Sequence, residues 1–574
     1  MYKGIAASRG IGIGKAFVVK EKTDTTVYRE KKIPDTEVDN EITRFTKAVE
    51  ATDIYYDQVA EKSKDVLSES EQQVFQAYKL VLKDPIFKDM VTGSIRDELL
   101  CAEGAVIKSV ELTKSMFLAL NDEYMRQRAD DIDNVGKQIL ISLTGSQSTD
   151  LSMLTEDSII IAEDLTPADT VSMNRKFVKG FAVEKGGETS HTAIIARTME
   201  IPALVGCGDK IRDISHGDTL IIDGQEGILI AKPTPDELKN YLEKQKQYLE
   251  ELEKIKALKN EPGRTLDGKN VHLVGNIAKP EEAKEVLEKG GDGIGLFRTE
   301  FLYLNRKELP SEEDQFKAYK EVAEVMKDRP CIIRTLDIGG DKQSALINMP
   351  KEDNPFMGYR AIRICLKEKE MFKTQLRAIL RASAYGNLKI MFPMISCLEE
   401  LRAAKEILNE AKAELDEKNI PYNRDIQVGI MIEIPSAAMA ADILAQEADF
   451  FSIGTNDLCQ YTLAVDRMNE NISSLYNPLN IGVLRLIKRV IDCAHEFGIM
   501  VGMCGEMASN PEYTSLLLGL GLDEFSMVPA SIPHVKQAVR NTTYDDAVNL
   551  AEEILSVNES DKIKTILRGK LNAH

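Results

Sequence analysis

Eight short apolar runs, separated by helical segments, fill residues 262–574, and no other feature of this chain limits its fold so tightly. In order they read VHLVGNI, GIGLFR, CIIRTLDI, KIMFPMI, QVGIMIEIP, FFSIGTN, IMVGMCGE and EFSMVP. Runs of this length suit strands, whereas the intervening PEEAKEVLEKG and EMFKTQLRAILRASA carry helical spacing. Eight strand–helix alternations in a row point to a (β/α)8 barrel. An open, doubly wound sheet is the rival, because periodicity does not prove closure.

Upstream the pattern divides differently. Residues 1–20, MYKGIAASRGIGIGKAFVVK, read as strand and Gly-rich turn, and residues 146–234 return to short strands such as SIIIAEDL and TLIIDGQEGILIA, with Asp223-Gly224 in a hairpin connection. Between them, residues 21–145 are helical, with few glycines and 17 Lys+Arg against 25 Asp+Glu, a net charge of -8. A solvated bundle and a docking surface both fit that stretch. Residues 235–261 form one long helix: Thr234 and Glu237 make a capping box, Pro235 takes the first helical position, and Pro262-Gly263 stops the run. It is either a connector between moving bodies or a packed helix.

A chain of 574 residues exceeds one ordinary core. Its net charge of -20 argues against nucleic acid as a partner, because phosphate backbones call for basic surfaces. No apolar run reaches membrane-spanning length, the opening residues lack a signal-peptide core, and eight cysteines without CxxC pairs suggest neither zinc nor disulfides. A cytoplasmic protein without membrane insertion is the expectation.

In a (β/α)8 barrel, reactive groups project from the C-terminal ends of the strands. Those ends carry Arg298 with Glu300, Arg334 before the loop LDIGGDK, Glu433, Asn456 with Asp457, and Cys504 with Glu506, and Arg467 follows on a loop. One such arginine reads as a structural ion pair, but three at one mouth of an acidic protein suit a substrate bearing carboxylate and phosphate. Gly339-Gly340 would let backbone approach that anion. Glu433 and Asp457, on consecutive strands, repel unless a metal or an arginine lies between them, and with a substrate phosphate they would cage Mg²⁺. Cys504 is either an inert core thiol or, with an ordinary pKa near ~8.5, an acid toward a developing carbanion.

The stretch GGETSHTAIIARTMEIPALVG, residues 186–206, puts His191 at the start of a helix that Pro202 ends, with Thr189 and Ser190 as capping residues. The positive end of the helix dipole disfavours a protonated imidazole there and favours an attached phosphoryl group. A phosphoryl-accepting histidine and a helix-start histidine of no consequence both remain open from these residues alone.

That stretch resembles the active-site signature of the phosphohistidine domains of phosphoenolpyruvate-utilising enzymes, and GIGLFRTEFLY, IIRTLDIGGDK, NPFMGYRAIRI, MIEIPSA, FFSIGTNDLCQYTLAVDR and GMCGEMAS resemble the barrel of the same family. The opening GIAASRGIGIGKA and the helical EQQVFQAYKLVLKDP resemble the enzyme I group of the bacterial sugar phosphotransferase system. The resemblance implies an α/β multidomain protein. A swivelling phosphohistidine domain (1–20 and 146–234) would carry an inserted helical bundle (21–145), with a linker helix (235–261) and a C-terminal TIM barrel (262–574) after it. It implies that His191 is phosphorylated by phosphoenolpyruvate, that Arg298, Arg334, Asn456, the backbone at Asp457 and Arg467 hold the substrate, and that Glu433 and Asp457 hold Mg²⁺. Cys504 would protonate the enolate to give pyruvate. The 21–145 helices would dock the histidine-containing phosphocarrier protein (HPr), and the barrel would form a homodimer. Arg360, Arg377 and Thr170 match further family positions.

Three departures accompany the match: Glu188 where arginine is common, Tyr78 where histidine is frequent, and YNPLNIGVLRL without a histidine-proline pair. Two other functions compete. A dikinase-type enzyme would need an ATP-binding region, yet no GxxxxGK[ST] occurs and no stretch is left over. A regulatory scaffold that binds phosphoenolpyruvate without turnover would have no use for the thiol.

Overall fold

The computed structural model describes the chain except for residues 20–26, 64–68, 119–122, 146–150, 152–153, 175, 188–190, 200, 304–305, 307, 341–345, 348, 351, 468, 470 and 572–574, so Glu188 and the capping pair Thr189 and Ser190 lie outside the described residues. The chain packs as two compact units, Met1–Glu251 and Leu252–His574.

The first unit holds an eight-stranded sheet. Its strands are β1 (Tyr2–Lys3), β2 (Ile5–Ser8), β3 (Ile11–Val18), β4 (Ser158–Ala162), β5 (Val178–Val183), β6 (Ala203–Val205), β7 (Thr219–Asp223) and β8 (Ile228–Ala231), in the order β1-β8-β7-β3-β4-β5-β6-β2. β7 and β8 pair antiparallel, and Asp223 closes their turn by accepting the N–H groups of Gln225 and Glu226, both at 3.0 Å. Strand β4 is buried along its whole length because both faces are covered. Ile160 and Ala162 enter the core shared with helices α1 (Val38–Ser63), α2 (Glu69–Lys83), α3 (Pro85–Glu98), α4 (Ala102–Leu118) and α5 (Glu123–Thr144), whereas Ile159 and Ile161 enter a second core with Leu204, Leu220 and Ile222. Tyr78 lies at the centre of the helical part, 1% exposed, its hydroxyl accepting from Asn134 at 3.1 Å. At this position the departure from histidine is a change in the core.

Helix α6 (Pro167–Ser172) begins at a capping box of Thr166 and Asp169, and α7 (His191–Thr198) follows β5. Helix α8 (Pro235–Ala257) has the expected box, with the Thr234 N–H on Glu237 at 2.8 Å. Tyr241 packs with Ile11, Ile221 and Ile230, and Gln245 donates to the Ile11 carbonyl at 2.8 Å. The apolar spacing of this helix overstates its packing, since Leu242 and Leu249 are about half exposed.

The second unit is a closed parallel barrel of β9 (His272–Ile277), β10 (Ile294–Arg298), β11 (Cys331–Arg334), β12 (Leu388–Phe392), β13 (Val428–Ile432), β14 (Phe450–Ile453), β15 (Met500–Met503) and β16 (Glu524–Met527). Each apolar run of the sequence supplies one strand. Closure comes from β16 on β9, with Glu524 opposite His272 and Met527 opposite Gly275, which removes the open-sheet alternative. Leu296, Ile332, Met391, Met431, Phe450 and Cys504 form a separate core apart from the large cluster that joins strands to helices. The strand period of two then sets the chemistry of the mouth: Arg298 follows Leu296, Arg334 follows Ile332 and Glu433 follows Met431, each two residues on and on the same face.

At the other end of the barrel Glu524, the first residue of β16, is 2% exposed and its Oε1 has no hydrogen-bond partner among the described residues. Gly502 makes room for it, since a Cβ there would stand 2.8 Å from Oε1. Burial pushes its pKa up to about 7, with Lys389 pulling the other way. A carboxyl that binds its proton more tightly in the folded state stabilises the fold below the unfolded value of ~4.3 and loses that contribution as pH rises through 7, about 4 kcal/mol in all. Glu524→Gln removes the titration. Thermal melts should therefore show the variant gaining on the wild type between pH 4.5 and 8, and parallel pH profiles would contradict this assignment.

Candidate active site

The mouth of the barrel gathers a buried group of charges. Arg334, at the end of β11, pairs with Glu300 (Nη2–Oε1 2.6 Å) and Asp337 (Nη1–Oδ2 3.0 Å). Arg360 pairs with Asp337 (2.9 Å) and Asp457 (3.2 Å) through Nη2, and its Nη1 donates to the Tyr461 hydroxyl at 3.2 Å. Burial works against both guanidinium charges, yet the surrounding carboxylates outweigh it and hold both more firmly protonated than usual. Arg334 Nε, Arg360 Nε and Arg467 Nη1 are nevertheless buried with no acceptor among the described residues. Buried donors are nearly always paired, so each of these three is left with hydrogen-bonding capacity that an anion could take up.

Glu433 follows β13 and accepts the Met394 N–H at 2.6 Å. Burial, then the neighbouring Asp457 and Asp337, push its pKa up to about 8 against the pull of Arg360 and Arg334. Arg360 pairs with Asp457, whereas Glu433 joins no ion pair among the described residues. Among the described residues no group of three or more His, Cys, Asp or Glu side chains forms a cation site. The two carboxylates fit a hard divalent cation only if substrate oxygens or water complete its shell.

Cys504 lies just beyond β15, buried, with its N–H on the Ile453 carbonyl at 3.1 Å and its thiol directed to the same carbonyl at 3.8 Å. Burial raises its pKa, while Ser452, Arg334 and Arg298 act in the opposite sense. The thiol therefore carries its proton at neutral pH. Asn456 and Asp457 stand in the first turn of the helix Thr455–Leu463, where Asn456 exchanges hydrogen bonds with Glu506, donating to Oε1 at 3.1 Å and accepting its N–H at 3.0 Å. The Arg467 N–H donates to Gln460 at 3.1 Å.

The structure thus brings Arg334, Glu433, Asp457 and Cys504 into one electrostatically coupled set, with Arg298 acting on Cys504. Arg360 belongs to it as well. Arg377 does not: it lies on the outer helix Lys369–Ala382 and pairs with Glu312 and Glu414, both at 2.7 Å. Gly339, at φ 117°, would place a Cβ 2.2 Å from Arg360 Cβ, so the close approach it allows is to Arg360. Asp337, which both arginines share, lies inside LDIGGDK yet has no signal of its own in the sequence.

In the first unit His191 opens α7, as its spacing from Pro202 predicts, and its side chain lies outside the described residues. Its neighbour Thr192 is buried and donates to the Leu165 carbonyl at 2.5 Å, which fastens the first turn of α7 to the residue before the α6 cap. Thr170, fully buried, turns its hydroxyl back to the Thr166 carbonyl at 3.0 Å.

Three family models match the chain: the PEP-utilising enzyme PEP-binding domain over residues 252–544, the N-terminal domain over 3–128 and the mobile domain over 154–227. Proteins named phosphoenolpyruvate-protein phosphotransferase are similar over almost the full length. The one from Priestia megaterium is 48% identical, covering 98% of this chain and 97% of the relative, and that from Bacillus subtilis (strain 168) is 46% identical, covering 99% of each. The Staphylococcus aureus (strain MSSA476) protein is 43% identical, covering 98% of each. With a buried arginine–carboxylate mouth in a closed barrel and a histidine at the head of α7, the chain belongs to the phosphoenolpyruvate-utilising enzymes, in the family of the phosphoenolpyruvate-protein phosphotransferases.

Proposed function

We propose that this chain takes the phosphoryl group of phosphoenolpyruvate onto His191, passes it to the histidine-containing phosphocarrier protein HPr and releases pyruvate, the first step of the sugar phosphotransferase system. The observation that carries the reading is the barrel mouth, where Arg334 and Arg360 each keep an unpartnered guanidinium N–H among a protonated thiol and two crowded carboxylates. That set suits a small anion bearing phosphate and carboxylate which becomes an enolate.

Arg298, Arg334, Arg467, Asn456 and the backbone at Asp457 hold the substrate and orient its phosphate. Mg²⁺ on Glu433 and Asp457 would neutralise phosphate charge during transfer. A His191 ring nitrogen attacks phosphorus, the bond from phosphorus to the enol oxygen breaks, and the electron pair stays on the enolate. Cys504 gives its proton to the enolate carbon. The phosphoryl group then passes from His191 to the histidine of HPr, docked on the 21–145 helices, whose net charge of -8 would steer a basic partner. We assign residues 1–20 and 146–234 to the phosphohistidine domain, 235–261 to the linker helix and 262–574 to the barrel, through which the chain would form a homodimer. Among the described residues no helix is long and apolar enough to cross a membrane, and we place the protein in the cytoplasm. Neither the scaffold nor the dikinase reading accounts for the thiol at the barrel mouth and a family match of nearly full length without an ATP-binding segment.

The division of labour has a direct test. Fragment 1–258 should exchange phosphate with phosphorylated HPr yet take none from phosphoenolpyruvate, and fragment 262–574 should bind phosphoenolpyruvate with Mg²⁺ and transfer nothing. Turnover in the whole chain then requires His191 to travel between barrel and carrier. Efficient labelling of fragment 1–258 by phosphoenolpyruvate alone would refute this.

A further inference from the structure

A buried polar residue next to the end of the first barrel strand has no place in the chemistry so far. Asn276, 8% exposed near the end of β9, donates from Nδ2 to the Cys504 carbonyl at 3.1 Å and to the Ser526 carbonyl at 3.3 Å. Its Oδ1 accepts the Ser526 hydroxyl at 2.5 Å. Ser526 is itself fully buried and set against Gly295, where a Cβ would come within 2.4 Å of its Oγ. Three strands thus meet at one carboxamide.

The ladder explains why a side chain is needed there. Pairing between β15 and β16 ends at Met503 opposite Phe525, so Cys504 is past the last ladder position on that side. Its N–H is still held by Ile453 of β14, but its carbonyl would be left without a strand partner. Asn276 reaches across from the far side of β16 to supply the donor, so the Cys504 backbone is fixed at both its N–H and its carbonyl. With the backbone so held, the thiol keeps only its rotation about Cα–Cβ, which its contact with the Ile453 carbonyl at 3.8 Å restricts.

We infer that Asn276, locked by Ser526, is a positioning residue that aims the Cys504 thiol at one face of the enolate. This rests on the reading of Cys504 as the proton source. In the step concerned the S–H bond breaks, a C–H bond forms at the terminal enolate carbon with the electron pair of its double bond, and the thiolate later regains a proton from solvent. A thiol held in one position delivers to one face. An unheld thiol is slow, and the enolate then leaves to be protonated by water on either face. Misplacement on the scale of an ångström costs about 10²-fold in rate.

The test uses phosphoenolpyruvate stereospecifically labelled with tritium at the methylene carbon. It is turned over in D₂O by the full chain with Mg²⁺ and HPr, and the configuration of the chiral pyruvate methyl is then read. The wild type should give one configuration. Asn276→Asp, which keeps shape but loses both donors, should give a near-equal mixture, with pyruvate formation slowed about 10- to 100-fold and single-turnover labelling of His191 little changed. Ser526→Ala removes one hydroxyl, should fold even if Asn276→Asp does not, and should lose part of the selectivity. Full wild-type selectivity in Ser526→Ala or Asn276→Asp would overturn the inference. Selectivity retained in Cys504→Ala would instead overturn the reading of the thiol on which it rests.

Discussion

His191→Ala takes no phosphoryl group from phosphoenolpyruvate and releases no pyruvate above background, while phosphoenolpyruvate still binds with nearly wild-type affinity. The expectation follows from the separation of tasks. The groups that suit the anion belong to the compact unit Leu252–His574, whereas His191 heads α7 in the unit Met1–Glu251. Alanine is a good helix former, so α7 keeps its first turn and Thr192 keeps its bond to Leu165. The loss is therefore chemical: without the imidazole no nucleophile meets the phosphorus. Binding measured by calorimetry with Mg²⁺, beside pyruvate release in the presence of HPr, separates the two effects. Pyruvate release from the variant at the wild-type rate would remove His191 from the mechanism.

Cys504→Ala slows pyruvate formation by about 10²–10⁴-fold, equivalent to about 3–5 kcal/mol of barrier, with a much smaller change in affinity for phosphoenolpyruvate. The structure bears on both halves of that statement. The thiol is buried and burial raises its pKa, so the proton is on sulfur at neutral pH and available to a carbanion. The thiol points to the Ile453 carbonyl, and neither guanidinium relies on it for an ion pair, so its removal leaves the Arg334 and Arg360 pairs in place. A small alanine at a site 7% exposed also opens a cavity the size of one sulfur, so the thermal melt should be recorded beside the rate. Unchanged turnover would return Cys504 to the status of a core residue that packs with Leu296, Ile332 and Phe450.

Much of this was legible in the chain before its structure. The eight apolar runs became the barrel strands one for one, because strand length and spacing are local properties that burial in a parallel barrel reinforces. The strand-end positions of Arg298, Arg334 and Glu433 followed from the same reading, since a period of two carries each from an apolar interior position to the mouth, whereas Cys504 itself joins the interior core. What escaped were partnerships across the barrel. Glu300 looks like the partner of Arg298 by sequence distance, yet its bond is to Arg334 from the next strand. Asn276 acts only through groups that closure brings to it, and a polar residue next to the end of the apolar run VHLVGNI was its one available signal, whereas Asp337 meets Arg334 three residues away and reaches Arg360 only through the fold. Arg377 sits on a helix outside the barrel strands, where Glu312 and Glu414 occupy it. The amphipathic spacing of α8 overstated its burial because long helices keep their period whether or not a partner covers them.

The central claim is that phosphoryl passes from phosphoenolpyruvate to one particular histidine among the six in this chain. It is met most directly by incubating the intact protein with phosphoenolpyruvate and Mg²⁺, without nucleotide or carrier, and mapping the product by mass spectrometry under alkaline conditions. The account predicts one acid-labile, base-stable phosphoryl group per chain, on the peptide containing His191, with one pyruvate released for each group gained. A phosphoryl group on any other residue, or no modification until ATP is added, would contradict it.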